Sequence, residues 1–386
     1  MRWIVRPSPS LDITGISVAA GLLAAAVGAS YAYVDLMLNR MGASGTAIGL
    51  NAAMPALGWL LATPLMPWVL RRFNPGLVMA GLLMTAAVTF PGFELLHDER
   101  AWMLFRFLFG GSCGLVFRLV EYWISAVSPD DRRSRYIGIY SACFCGGAAV
   151  GAGAVPLVGF QGWPPVLLVL AFVAGSAAAF GRLRHGPPAV GDSPESPLWS
   201  LSGIASVGVV GALLFGMFEP VPYALMPVYV VRQGIGEEWA AWAASAFLAG
   251  QVVFSVPLGV FADRLGKIPL LAFSAMVALG MTLVIPKTVF ALPALLAAMF
   301  VWGGFAGALY TISLALLTDV FEGSDLAAAN AVFGTLYAVG SLTGGPLHGA
   351  AMDWRDPQGL MISAAALFAV FLTVLFWRTQ RAEKPA

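Results

Sequence analysis

"GVFADRLGKIP", residues 259–269, interrupts a long apolar run with Asp263, Arg264, Gly266 and Lys267 and then turns apolar again at once. In a soluble protein such a string is an ordinary surface loop. Here the stretches on either side, near 238–262 and 267–286, each approach the ~20 mainly apolar residues that a helix needs to cross a bilayer. The string therefore reads as a tight turn between two membrane spans.

Composition agrees. Of 386 residues, 59% are hydrophobic and only 11% charged, with a mean hydropathy of +0.82. Soluble domains hold about 45–50% apolar residues, so this chain falls in the membrane class. A net charge of +1 with no basic stripe excludes a nucleic-acid partner. Cys113, Cys143 and Cys145 lie in apolar runs, with no His or acid near the Cys143/Cys145 pair, and read as small packing residues. His97, His185 and His348 are scattered without ligand spacing. No cofactor or metal is expected, and no nucleophile–base constellation in the spans points to an enzyme.

The opening "MRWIVRPSPSLDITGISVAAGLLAAAVGASYA" has the flavour of a secretory signal, but its apolar run is longer than the ~7–15 residues of such a signal. It reads as the first span. Twelve candidate spans fall near 13–37, 46–70, 75–95, 101–127, 136–160, 164–181, 202–230, 238–262, 267–286, 289–318, 327–350 and 358–377. Outer-membrane strands would be about 10 residues long and alternating, and these are not. With the N-terminus inside, the cytoplasmic segments carry fourteen Lys and Arg against five in the outer loops, so both termini are expected in the cytoplasm of a bacterial-type inner membrane. The bilayer is the expected partner, and the protein is expected to be monomeric.

The Pro-rich polar stretch "GRLRHGPPAVGDSPESPLWS" (181–200) splits the chain into an N-terminal six-helix bundle (1–183), a cytoplasmic linker (184–200) and a C-terminal six-helix bundle (201–386). The halves repeat. "FLFGGSCGLVF" (107–117) lies against "FVWGGFAGALY" (300–310), so Gly110, Gly111 and Gly114 match Gly303, Gly304 and Gly307 at an interval of 193. Gly147 and Gly151 fall on Gly340 and Gly344 at the same interval, and Pro64-Leu65 on Pro257-Leu258. "YAYVDLMLNRMG" (31–42) matches "YALMPVYVVRQG" (223–234) at 192. Glycines three and four apart let helices approach closely, and two similar bundles can rock about a central site.

These features resemble the major facilitator superfamily. "GVFADRLGK" resembles its loop signature between two spans, and "RFLFGGSCG" (106–114) its fourth-span pattern. "VEYWISAVSPDDRRSRYIGIY" (120–140) looks most like the YcaD-type branch. The resemblance implies an all-α membrane protein of twelve transmembrane helices in two pseudo-twofold-related bundles, with spans one, four, seven and ten around a central cavity. Departures exist. The first-half loop reads Leu70-Arg71-Arg72-Phe73-Asn74, without the acid or the glycine, and Ala152 stands where the drug/proton antiporter pattern has Pro.

By resemblance, Asp263 sits at the cytoplasmic mouth near the start of span five, where "SPDDRRSR" offers Arg132, Arg133 and Arg135. Arg71 and Arg72 face a reversed counterpart in "TDVFEGSDL", with Asp319, Glu322 and Asp325. Two complementary cytoplasmic latches are expected, each exposed pair contributing about 0.2–1 kcal/mol, with ordinary solvated loop charges as the alternative. Arg118 and Glu121 share a face of span four; they are either proton or substrate groups, or Glu121 pairs with the Arg cluster after it.

Charges inside spans are costly and mark sites by default. Arg106, Glu219 and Asp35 are the candidates, with Glu219 beside the helix-breaking Pro220 and Pro222. Glu219 is expected to carry a proton and Arg106 to partner it or anchor an anion. The alternative is a static ion pair for Glu219 and an interfacial role for Asp35. Tyr31, Tyr223, Trp302 and Tyr310, with Phe117 and Met226, complete an aromatic cavity suited to a small amphipathic organic solute, or else pack in lipid. Without a nucleotide-binding G-x-x-x-x-G-K-[ST] string, energy must come from a gradient. Proton-coupled secondary transport by alternating access is expected; a uniporter and a non-transporting receptor or scaffold are the alternatives.

Overall fold

A computed structural model of the chain describes residues 9–128, 133–183, 205–321 and 323–382. Among them the regular structure is helical, and twelve long stretches follow one another: α1 (Pro9–Arg40), α2 (Gly45–Ala62), α3 (Pro75–Thr89), α4 (Glu99–Val127), α5 (Arg133–Val158), α6 (Trp163–Gly181), α7 (Ala205–Phe218), α8 (Glu237–Leu265), α9 (Lys267–Thr288), α10 (Leu292–Thr318), α11 (Gly323–Trp354) and α12 (Gly359–Ala382). They match the twelve predicted spans in order. Eleven candidate membrane spans among the described residues meet length and hydropathy requirements. The remaining helix, α11, is 32 residues long, but its glycines and polar side chains dilute its hydropathy.

Local signals explain the ends and the breaks. Asn74 caps α3 by accepting from Gly76 N, with Pro75 in the first turn, where its missing N–H costs nothing. Asp98 caps α4 by accepting from Ala101 N at 2.8 Å. Pro64 and Pro67 interrupt span two, which continues from α2 through a 3-10 turn (Thr63–Leu65) into a short helix, Met66–Arg72. Pro220 and Pro222 break α7 as expected. The chain passes into a π-type turn over Val221–Leu225 and resumes as Met226–Arg232.

The chain forms two compact units: residues 1–30 with 58–191, and residues 31–57 with 192–386. The second unit thus takes in the end of α1 and most of α2 together with the C-terminal half. Inside the first, α1 crosses α5 so closely that a methyl at Gly147 would meet the Gly21 carbonyl oxygen at 2.0 Å, and one at Gly151 the Ala25 carbonyl oxygen at 1.9 Å. Inside the second, a methyl at Gly340 would meet the Leu213 carbonyl oxygen at 2.1 Å and one at Gly344 that of Met217 at 2.0 Å. All four contacts repeat at the 192–193 interval read from the sequence. A second pair of crossings repeats likewise: Gly114 lies against Trp59 and Gly307 against Gln251. The internal repeat is therefore a repeat of helix contacts, made where small residues let backbones touch.

Candidate functional site: a half-buried glutamate and a latched helix end

Glu219 is the residue just past the end of α7, where the helix gives way to the π-type turn. Its carboxylate accepts from Ser341 Oγ at 3.1 Å, and the Tyr337 hydroxyl donates to it as well. Among the described residues no ion pair reaches it. The side chain is half-buried, as are Tyr223, Tyr310 and Tyr337. Tyr310 and Tyr337 form an aromatic group with Phe215: centroids are 5.3 Å apart for Phe215–Tyr310, 5.6 Å for Tyr310–Tyr337 and 6.2 Å for Phe215–Tyr337. Tyr223 donates to Gln251 Oε1 at 2.9 Å and stands 6.1 Å from Tyr31, its repeat-equivalent.

Other predicted cavity residues sit differently. Trp302 is fully buried against Phe218 at 5.1 Å and Phe247 at 5.7 Å, as a packing residue of the second unit. Arg106 is buried in the first unit and donates from Nη1 to the Ser30 carbonyl at 3.1 Å. Asp35 is fully buried in the second.

At one end of the second unit lies a polar cluster. Asp353, at the end of α11, accepts from Gly45 N at 2.5 Å, Thr46 N at 2.8 Å and Thr46 Oγ1 at 2.7 Å, and so caps α2. Arg232 spans the cluster. It donates to Asn39 Oδ1 at 2.9 Å, the Ala43 carbonyl at 3.0 Å and Asp356 at 2.9 Å, and lies 3.8 Å from Asp353. Arg40 makes a two-pronged pair with Glu237, at 2.5 and 2.6 Å, the planar fork geometry that arginine favours. Behind these charges α2 and α11 touch through glycines. A methyl at Gly49 would meet the Gly345 carbonyl oxygen at 2.0 Å, and one at Gly349 that of Gly45 at 2.1 Å. Asp353 lies beyond the predicted span. Partial burial disfavours its charge, but the Thr46 and Gly45 hydrogen bonds and Arg232 outweigh this and hold the carboxyl below its ordinary value.

In the turn that opened the sequence reading, Gly266 has φ +92° and joins α8 directly to α9, a conformation glycine adopts freely. Asp263 and Arg264 are exposed. Lys267 bonds the Ala315 carbonyl at 3.0 Å and pairs with Asp319. Glu121 pairs with Arg118 at 3.2 Å and accepts from Tyr140 at 3.4 Å, while Arg118 lies 4.9 Å over the Trp59 ring. Arg72 lies 5.9 Å over Trp68; Arg71 is exposed at the end of the same short helix. Arg132 and Glu322 fall outside the described residues, as do the side chains of Arg133, Arg135 and Asp325. Cys113, Cys143 and Cys145 are free thiols, and no metal-holding cluster occurs among the described residues.

The Major Facilitator Superfamily family model matches residues 16–243 and 209–386, which together span nearly the whole chain. The chain belongs to the Major Facilitator Superfamily. Relatives include the MFS-type transporter YfkF of Bacillus subtilis, 26% identical over 81% of each chain. The MFS-type transporter YcaD of Escherichia coli is 25% identical over 94% of this chain and 95% of the relative. Among solved structures, the nucleoside transporter NupG aligns with a TM-score of 0.75 at 15% identity, covering 97% of this chain and all of NupG. A bacterial homologue of the lysosomal transporter Spinster, inward-facing and occupied, aligns with a TM-score of 0.76 at 14% identity, covering 99% of this chain and all of the homologue. At such identities the structures show a shared fold alone.

Within this superfamily member, the residues that sequence reasoning passed over are Tyr337, Ser341 and the cluster of Arg40, Arg232, Glu237 and Asp353. One signal was available for the cluster: Gly45 and Gly49 have the same four-residue spacing as Gly345 and Gly349.

Proposed function

We propose that the protein is a secondary active transporter that moves a small amphipathic organic solute by alternating access, coupled to protons. The observation that carries this reading is Glu219. It is a half-buried carboxylate at the break that ends α7, within a predicted span, with only neutral hydrogen-bond partners. Such a group binds and releases a proton as its surroundings open and close, and carboxylates in spans mark relays of this kind. Arg106, which here donates to the Ser30 carbonyl, is proposed to partner Glu219 only in another state of the transport cycle.

The moving bodies are residues 1–183 and 201–386, joined by 184–200, with both termini in the cytoplasm of the inner membrane. On that orientation the Arg232–Asp353 cluster seals the outer end, and it must come apart when the outer mouth opens. The inner counterparts are Asp263 with the Arg132, Arg133 and Arg135 loop, and Arg71 and Arg72 with Asp319, Glu322 and Asp325.

The experiment is solute flux into proteoliposomes with and without a pH gradient, using a solute found by a thermal-stability screen on purified protein. Glu219→Gln is expected to abolish accumulation against a gradient while sparing exchange. Unchanged accumulation rejects proton coupling through Glu219 and favours a uniporter. Loss of all solute movement together with fixed spin-label distances favours a receptor.

A further inference from the structure

The surroundings of Glu219 also select a charge type, an inference that rests on the reading of Glu219 as a site residue. Its partners, Ser341 and Tyr337, are hydroxyl donors that place no positive charge near the carboxylate. Among the described residues no Lys, Arg or His forms an ion pair with it. A desolvated carboxylate with neutral neighbours is unfavourable until a cation or a proton joins it.

The walls are suited to the first of these. Tyr337 gives its hydroxyl to the carboxylate while its ring closes a three-membered aromatic group with Tyr310 and Phe215, stacked at 18° on Phe215 and edge-on at 68° to Tyr310. Ring faces carry negative potential, and a cation within about 6 Å of a centroid is attracted to them. Glu219 and the three tyrosines Tyr223, Tyr310 and Tyr337 are half-buried, whereas Phe215 is buried.

We infer that the Glu219 site takes an organic monocation, an ammonium group on an aromatic or aliphatic body, held by the carboxylate and by the rings of Tyr310 and Tyr337. A neutral solute would leave the carboxylate charge uncompensated, and an anionic one would be repelled by it.

The test is calorimetric binding to the purified full chain of three small probes of one size: benzyltrimethylammonium, benzyl alcohol and phenylacetate. The cation should bind at least tenfold tighter than the other two. Glu219→Gln should lose that preference, and Tyr310→Ala should weaken the cation roughly 5- to 30-fold, the range from an exposed to a desolvated cation–π contact. Gly259→Ala, which belongs neither to the carboxylate's partners nor to the aromatic group and whose added methyl meets nothing within 4 Å, should retain the preference. Phenylacetate or benzyl alcohol binding as tightly as the cation, no binding of the cation, or equal cation binding by folded Glu219→Gln overturns the inference. Counterflow in proteoliposomes separates the two readings. Cation bound but never moved sinks the transport reading and spares the site. Gradient-driven flux of an anionic solute with no cation binding does the reverse.

Discussion

Replacing Asp353 with Ala should open the end of the second unit where α2 meets α11. The carboxylate accepts three hydrogen bonds from the first turn of α2, at 2.5, 2.7 and 2.8 Å. Removing a helix-capping side chain costs about 0.5–2 kcal/mol. Loss of the neighbouring Arg232, 3.8 Å away and largely shielded, adds up to about 1 kcal/mol. The glycine crossing between Gly45 and Gly349 and between Gly49 and Gly345 is untouched, so the helices keep their closest contact. A total of about 0.5–3 kcal/mol shifts the latched-to-open balance roughly 2- to 150-fold. Spin labels at Met41→Cys and Glu238→Cys, read by pulsed dipolar spectroscopy in lipid nanodiscs, report that balance directly. The wild type should show one short distance, and Asp353→Ala a second, longer population. An identical distance distribution in the two proteins would falsify the latch, because no cap with three hydrogen bonds to a moving helix can be removed without effect.

Three further outcomes follow from named contacts. The hydrogen bonds that depress the Asp353 carboxyl contribute to the latched state above the ordinary Asp range, and that contribution fades as pH falls through the depressed value; the short distance should therefore persist at pH 5, and a longer population that appears between pH 7 and 5 and vanishes in Asp353→Asn would contradict it. Gly147→Leu should lower the melting temperature of the purified protein, since overpacking costs about 1–3 kcal/mol and each kcal/mol is worth about 2–4 °C in a large domain. Gly138→Leu, with nothing within 4 Å of an added methyl, should leave it unchanged, so equal shifts in the two variants would refute the α1–α5 crossing.

The fold was legible because bilayer physics leaves few solutions. Long apolar runs must become helices, so the twelve stretches and their order came through, and Pro220 with Pro222 located the break in α7. The repeat was legible because several of its glycines are contact points: Gly147/Gly340 and Gly151/Gly344, read at 193 in sequence, also have carbonyl neighbours that repeat. Loop charges were harder to read. Glu121 pairs with Arg118 one helical turn back, while the side chains of the Arg cluster downstream, its other expected partner, lie outside the described residues. Lys267 and Asp319 are 52 residues apart and their pairing has no local signal. Arg40 and Arg232 entered the sequence reading only as charges in outer loops, because the partners of each, Glu237 for one and Asp353 with Asp356 for the other, come from other helices. Trp302 on a cavity helix looked like a lining residue, whereas its indole fills the core between Phe218 and Phe247. Periodicity does not say which way one side chain on an apolar helix points.

The most direct measurement joins cysteines at Arg40→Cys and Glu237→Cys with a short bifunctional thiosulfonate and follows solute flux in proteoliposomes before and after reduction. Alternating access through this end predicts that the linked protein is silent and that reductant restores transport. Flux at the normal rate with the link intact would contradict it.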